Sequence, residues 1–120
     1  MLTSDTVVDL ATGLTWQRAL ASGAYTWAAA NAYCSGLSLG GAGVGRWRLP
    51  RKLEVESLVV RGSSRPAVDT TAFPNTPASA YYWSSSANLG ASGTAWNVYV
   101  GSGSTYGDTT SATYSVRCVH

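Results

Sequence analysis

Charge is what this chain has least of: Asp, Glu, Lys and Arg make up 12% of its 120 residues, against about 25% in an average soluble domain. Lysine occurs once, at Lys52, phenylalanine once, at Phe73, and histidine once, at His120. A net charge of +2 is too small to hold a nucleic-acid backbone, so no nucleic-acid partner is expected. No apolar run approaches the roughly 18 residues that span a bilayer, which argues against membrane insertion. The N-terminus lacks a basic start followed by an apolar core, so no signal peptide is expected. An exported domain would then be a processed form, an excised piece or part of something longer.

The shortage extends to catalytic groups. A Ser-His or Cys-His pair would depend on the single terminal His120, expected to be flexible. Two cysteines far apart and one terminal histidine make no zinc set. Glu54 and Glu56 stand two apart on a helical segment and point different ways, which suits acid–base work poorly. Asp69 lies in a Thr- and Pro-rich stretch, where a carboxylate caps a turn. The run Gly40-Gly41-Ala42-Gly43-Val44-Gly45 lacks the preceding strand and the Lys-Ser/Thr ending of a phosphate loop, and reads as flexible linkage.

What the chain does have is aromatic bulk: five tryptophans and seven tyrosines, beside 45% hydrophobic residues. That is ample for the core of one domain over residues 1–120, and disorder is not expected. Trp16, Trp27, Trp47, Trp83 and Trp96 are all expected in that core.

Thr6 to Leu10 and Leu14 to Gln17 read as a strand pair around Ala11-Thr12-Gly13. A helix follows, with Thr26 as N-cap, four alanines favouring it and Gly36 as its stop. Trp27, Ala30 and Cys34 share one face, so Cys34 points inward. A second helix starts after Pro50 and runs to about Val60, with Val55, Leu58 and Val59 as its apolar stripe.

The last third is strand and turn. Tyr81 to Ser86 is one strand. Ala95 to Val100 alternates, placing Trp96, Val98 and Val100 inward and Asn97 and Tyr99 outward. A short strand near Thr105 and Tyr106 follows the turn at Gly101-Ser102-Gly103. In a last strand over 113–119, Tyr114, Val116 and Cys118 share an inward face. Together these elements predict an α+β domain with a mainly antiparallel sheet.

Seven stretches in order resemble one family: Val8-Asp9-Leu10-Ala11-Thr12-Gly13-Leu14-Thr15-Trp16-Gln17, Ala32-Tyr33-Cys34, Trp47-Arg48-Leu49-Pro50, Glu54-Val55-Glu56-Ser57-Leu58-Val59, Val68-Asp69-Thr70-Thr71-Ala72-Phe73-Pro74-Asn75-Thr76, Tyr82-Trp83-Ser84-Ser85 and Val116-Arg117-Cys118-Val119. They are similar to the Lcl C-terminal domain family, named for a collagen-like adhesin of Legionella. The resemblance implies a C-type-lectin-like fold: two helices packed on a small mainly antiparallel sheet, with N- and C-terminal strands paired. It also implies a disulfide between Cys34 and Cys118, and a secreted, periplasmic or cell-surface location. That pairing leaves no spare cysteine for the chemistry of the formylglycine-generating enzymes in the same superfamily, so no enzyme is expected. The family's namesake binds sulfated glycosaminoglycans as a trimer, which makes a glycan or host-surface protein the implied partner and a homo-oligomer the implied assembly.

One departure matters physically. Where the family has Thr after Leu-Pro, this chain has Arg51, which cannot accept the backbone N–H bonds of a capping box with Glu54. An anion-binding role for Arg51 is the alternative. Calcium-dependent sugar binding is not expected, because Trp96-Asn97 is followed by Val98 and the region offers few carboxylates. No cofactor is implied. The remaining expectation is a binding surface of Asn97 and Tyr99, the loop 86–94 with Asn88, and the turn 101–107 with Tyr106. Arg61 and Arg65 would supply cations for a sulfated glycan; a protein-binding or structural surface would need none.

Overall fold

A computed structural model describes residues 5–60, 67–74, 76–77 and 79–120. In chain order the elements are β1 (Thr6–Val8), β2 (Thr15–Gln17), α1 (Trp27–Ser35), α2 (Lys52–Glu56), β3 (Tyr81–Ala87), β4 (Thr94–Tyr99) and β5 (Ser104–Thr109). The expected single sheet is two: β1 and β2 pair antiparallel, and β3, β4 and β5 form a separate antiparallel meander in that order. The class is α+β.

Local chemistry sets the first half. Asp9 folds the β1–β2 turn by accepting the Ala11 N–H at 3.0 Å, while its backbone closes on Leu14 and Gly13. The Thr26 hydroxyl caps α1 by accepting the Ala29 N–H, and Gly36 ends it by bonding back to Ala32. Ala30 and Cys34 are buried, and the half-buried Trp27 donates its indole N–H to the Ser84 carbonyl at 2.8 Å, tying α1 to β3.

The glycine run is not slack. Leu39 and Ala42 exchange backbone hydrogen bonds around Gly40 and Gly41, whose φ values are +58° and +85°. Only glycine takes such a pair of angles cheaply, so the turn is tight rather than flexible. Its two carbonyls, Leu39 and Ala42, both accept from the indole N–H of the buried Trp47.

The second helix stops at Glu56, well short of Val60. The β-branched Val59 and Val60 leave it to pair with 67–68: Val59 bridges Val68, and Val60 donates to the Ala67 carbonyl. At its start Arg51 lies where a capping residue would, but a guanidinium has no lone pair and no side-chain cap bond forms. The Ser86 hydroxyl, from a bulge in β3, accepts the Lys52 N–H instead at 3.0 Å. Glu54 supplies the other half of the box by accepting the Arg51 N–H at 2.7 Å.

Residues 113–119 do not form the strand expected. Their backbone bonds go to several neighbours: Tyr114 to Tyr25, Ser115 to β3, and Val119 to both Trp16 of β2 and Arg48. No continuous ladder results, but the segment laces the two sheets together and pairs the chain's end with β2. His120 is therefore held rather than flexible. It exchanges backbone bonds with Thr15, and its ring meets the Trp47 edge at 4.5 Å.

The meander is covered on both faces. On one side, α1, Trp47, Leu49, Val116 and the disulfide pack on Trp83 and Ala95. On the other, Val55 of α2 meets Tyr82, Val98 and Val100. A third cluster joins Val7, Trp16, Phe73 and Val119. This double cover overturns the alternation read from β4: Asn97, expected outward, is 0% exposed, while Trp96, expected inward, is only half-buried. Tyr99 is half-buried, and Trp27 likewise lies at the margin of the core.

Cys34 and Cys118 are bonded, with Cα atoms 5.6 Å apart and 84 residues of chain between them. Beside this bond Arg117 is buried with no ion pair among the described residues. It donates to the carbonyls of Gln17 and Arg18 and to the Tyr82 hydroxyl, and it stacks 4.4 Å from the Phe73 ring. Burial pulls its pKa below the usual guanidinium value, against the contrary pull of Tyr82.

Candidate functional site

Strand register decides which side chains share a face of the meander. Tyr81 stands opposite Tyr99, Trp83 opposite Asn97, Asn97 opposite Tyr106, and Ala95 opposite Asp108. With a period of two along each strand, one face therefore carries Tyr81 and Trp83, Asn97 and Tyr99, then Tyr106 and Asp108. Tyr114, held by its bridge to Tyr25, leans onto the β3 end of the same face.

The rings form a continuous array. Tyr81 lies between Tyr99, at 4.7 Å, and Tyr114, at 5.0 Å; Tyr106 is 6.3 Å from Tyr81 and Trp83 is 4.9 Å from Tyr114. Gly101 makes room for this: a Cβ there would sit 2.4 Å from Cζ of Tyr99. The far end, under α1, is closed, and the β5 end is open, with Tyr106 46% exposed.

Asp108 organises the polar part. Its Oδ2 accepts the Asn97 amide at 2.8 Å and the Tyr114 hydroxyl at 2.9 Å. Burial, and then Asp108, push the Tyr114 pKa up to about 12, so its proton stays in the bond. Two acceptors are left over. Asn97 Oδ1 is buried without a partner, and Asp108 Oδ1 has none among the described residues. Asn97 Oδ1 is out of reach of a ligand, but ring faces edged by the half-buried Asp108 suit a ligand with a flat apolar side and hydrogen-bond donors.

Of the residues expected to bind, Asn97, Tyr99 and Tyr106 come together here, with Asn97 as a buried floor rather than an outward contact. Asn88 falls elsewhere. Its amide accepts the Gly90 N–H and packs against Gly107, which pairs with Trp96 on the opposite face. Arg61 and Arg65 lie outside the described residues. Tyr81, Tyr114 and Asp108 were not read from the sequence as site residues. Asp108 stands two positions after Tyr106, but a strand drawn only near Thr105 and Tyr106 left it off that face.

A concave surface lies on the opposite, Trp96 side of the meander. A groove of about 460 Å³ is lined by Arg51, Lys52, Glu54, Ser86 and Trp96 among others. The Lys52 ammonium sits 4.7 Å over the Trp96 ring and 3.5 Å from Glu56. Arg51 is exposed and has no ion pair among the described residues. Glu54 is taken by Arg48.

His120 packs its ring on Trp47 and bonds through its backbone to Thr15. Its pKa is lowered by burial and then by Arg46, which keeps the imidazole neutral against Trp47. Among the described residues no group of three or more His, Cys, Asp or Glu converges.

The model of the Lcl C-terminal domain family matches residues 5–120. No curated protein matches the chain.

Proposed function

The chain belongs to the Lcl C-terminal domain family, and from that premise we propose that it is one exported, C-type-lectin-like adhesion domain that binds a glycan without calcium or catalysis. Family membership suggests an adhesin-like surface module. The disulfide is in keeping with an oxidising, exported setting. Among the described residues no helix is long and apolar enough to cross a membrane.

The observation that carries the glycan reading is the tyrosine face with the exposed Tyr106 and the half-buried Asp108 on its β5 side. Sugar rings present a flat C–H side that stacks on aromatic faces, and hydroxyls that bond to fixed acceptors. The test is retention of labelled protein on a glycan panel, with Tyr106→Ala as the diagnostic variant. Binding that Tyr106→Ala weakens supports the site. Binding only to protein ligands, indifferent to that change, favours the alternative of a protein-binding or structural module.

A second reading has its own support in the Trp96 groove. Arg51 and Lys52 beside a half-buried indole fit a sulfated glycan. Retention on heparin that falls with salt and with Arg51→Ala or Arg61→Ala and Arg65→Ala supports it. Light scattering alongside tests the homo-oligomer, a trimer by family resemblance, on which a groove shared between subunits would depend.

A further inference from the structure

We propose that β5 pairs edge to edge with β5 of a second copy of this chain, antiparallel and centred on Gly107, so that two three-stranded meanders join into one sheet. This goes beyond the glycan reading and stands whether or not a sugar binds. The meander has two outer edges, and they differ. The β3 edge is covered, because Ser115 bonds to both Tyr81 and Trp83 along it. On the other side, β4 is the only strand that β5 pairs with.

The ladder shows which backbone groups of β5 are left. Thr110 donates to the Gly93 carbonyl, on the β4 side. Antiparallel bonds alternate along a strand, so Ser104, Tyr106 and Asp108 turn their backbone groups to β4, and Thr105, Gly107 and Thr109 turn theirs outward. Among the described residues nothing accepts those three outward N–H groups, and of the outward carbonyls only that of Thr109 is bonded, to the Ala112 N–H. β5 also lacks the devices that keep open edges apart. Its sequence Ser104-Thr105-Tyr106-Gly107-Asp108-Thr109 holds no Lys, Arg or Pro, and its register with β4 runs without a bulge. Tyr106, Gly107 and Thr109 are exposed.

Register is what makes a second copy the occupant. With Gly107 on the two-fold axis, Gly107 faces its own counterpart and Thr105 faces the partner's Thr109, so every outward N–H meets a carbonyl. Cross-strand threonine pairs support a sheet, and symmetry supplies this one twice. Tyr106 stands opposite the partner's Asp108, so the one charged residue of β5 faces a ring rather than another carboxylate. An axis at Asp108 would set the two carboxylates against each other, and an axis at Tyr106 would carry Thr109 past the strand to Gly103. In the Gly107 register the two tyrosine faces lie side by side on one sheet.

The experiment uses the whole chain. Sedimentation from about 10 μM to about 1 mM is expected to show a reversible monomer–dimer equilibrium, since so short an edge makes a weak contact. Over the same range, hydrogen exchange at the Thr105, Gly107 and Thr109 amides is expected to slow. Two double variants read the register. Thr105→Lys with Thr109→Lys sets like charges across the axis and is expected to weaken the dimer by at least about tenfold. Thr105→Lys with Thr109→Glu sets opposite charges there and is expected to restore the dimer in a salt-sensitive form.

A monomer throughout that range, with those amides exchanging freely, overturns the inference and leaves the edge to a strand of another protein. A trimer, or a dimer that both double variants leave unchanged, overturns it as well. Loss of the dimer in both variants, with melts near wild type, overturns the Gly107-centred pairing. If a variant melts early, the concentration dependence of amide exchange in the unaltered chain decides.

Discussion

Arg48 holds Glu54 with both arms of its guanidinium, each nitrogen 2.7 Å from a carboxylate oxygen. The pair spans the entry to α2, and one of those oxygens also accepts the Arg51 N–H. Fork-to-fork geometry of this kind is stronger than a single exposed ion pair, although Arg48 is 42% exposed and solvent weakens it.

Glu54 therefore carries an acid sensitivity. The Arg48 hydrogen bonds, opposed by partial burial and helped by the Arg51 N–H, hold its pKa below the usual carboxylate value. A depressed folded pKa gives stability that is present above the unfolded pKa and lost as pH falls through the folded one. Glu54→Gln is expected to cost about 1–2 kcal/mol at neutral pH. In urea melts the wild type and variant should converge as pH falls below the ordinary carboxylate range. A constant gap across that range would mean the loss comes from packing.

Arg51→Thr is expected to stabilise the protein by up to about 1 kcal/mol. Ser86 already satisfies the Lys52 N–H, but among the described residues no side chain accepts the Leu53 or Glu54 N–H. A threonine hydroxyl would reach one of these and complete the box with Glu54. An unchanged denaturant midpoint would show that Ser86 alone is a sufficient cap.

Reduction of Cys34–Cys118 should lower the melting temperature sharply. In the chain-entropy model a closed loop of this size contributes at most about 4.5 kcal/mol. The bond fastens α1 to the final segment, which otherwise lacks a continuous ladder. If the reduced and oxidised proteins melt together, the segment is held by Arg117 and its backbone bridges without help.

Alkali should report on Tyr114. Its folded pKa of about 12 exceeds the ordinary value of 10, so the neutral form is favoured by folding. Stability from this group is fully present below pH 10 and lost as pH rises toward 12. Tyrosinate absorbance should show a late-titrating component that is lost in Tyr114→Phe. That variant should cost about 1 kcal/mol through the lost bond to Asp108. Loss of no late component in Tyr114→Phe would place Tyr114 in open solvent.

The amino-acid order alone determined a good deal here. Thr26 and Gly36 bracket α1, the turn after Asp9 joins β1 to β2, and Asp69 caps its own turn by accepting the Thr71 N–H. These are contacts over two to four residues, and local chemistry decides them. The ordered stretches carried the family, and with it the pairing of Cys34 and Cys118.

What escaped was whatever depended on two covered faces. A period of two says which residues of β4 stand together, but not which side is wet. Only the packing of α1 on one face and α2 on the other buries Asn97 and leaves Trp96 half-open. The same holds for Asp108. It stands 11 residues from Asn97, and only the β4–β5 register lays its carboxylate against that amide. Strand pairing and burial are properties of the assembled chain, so the tyrosine face and its unmatched acceptors were settled by the tertiary structure.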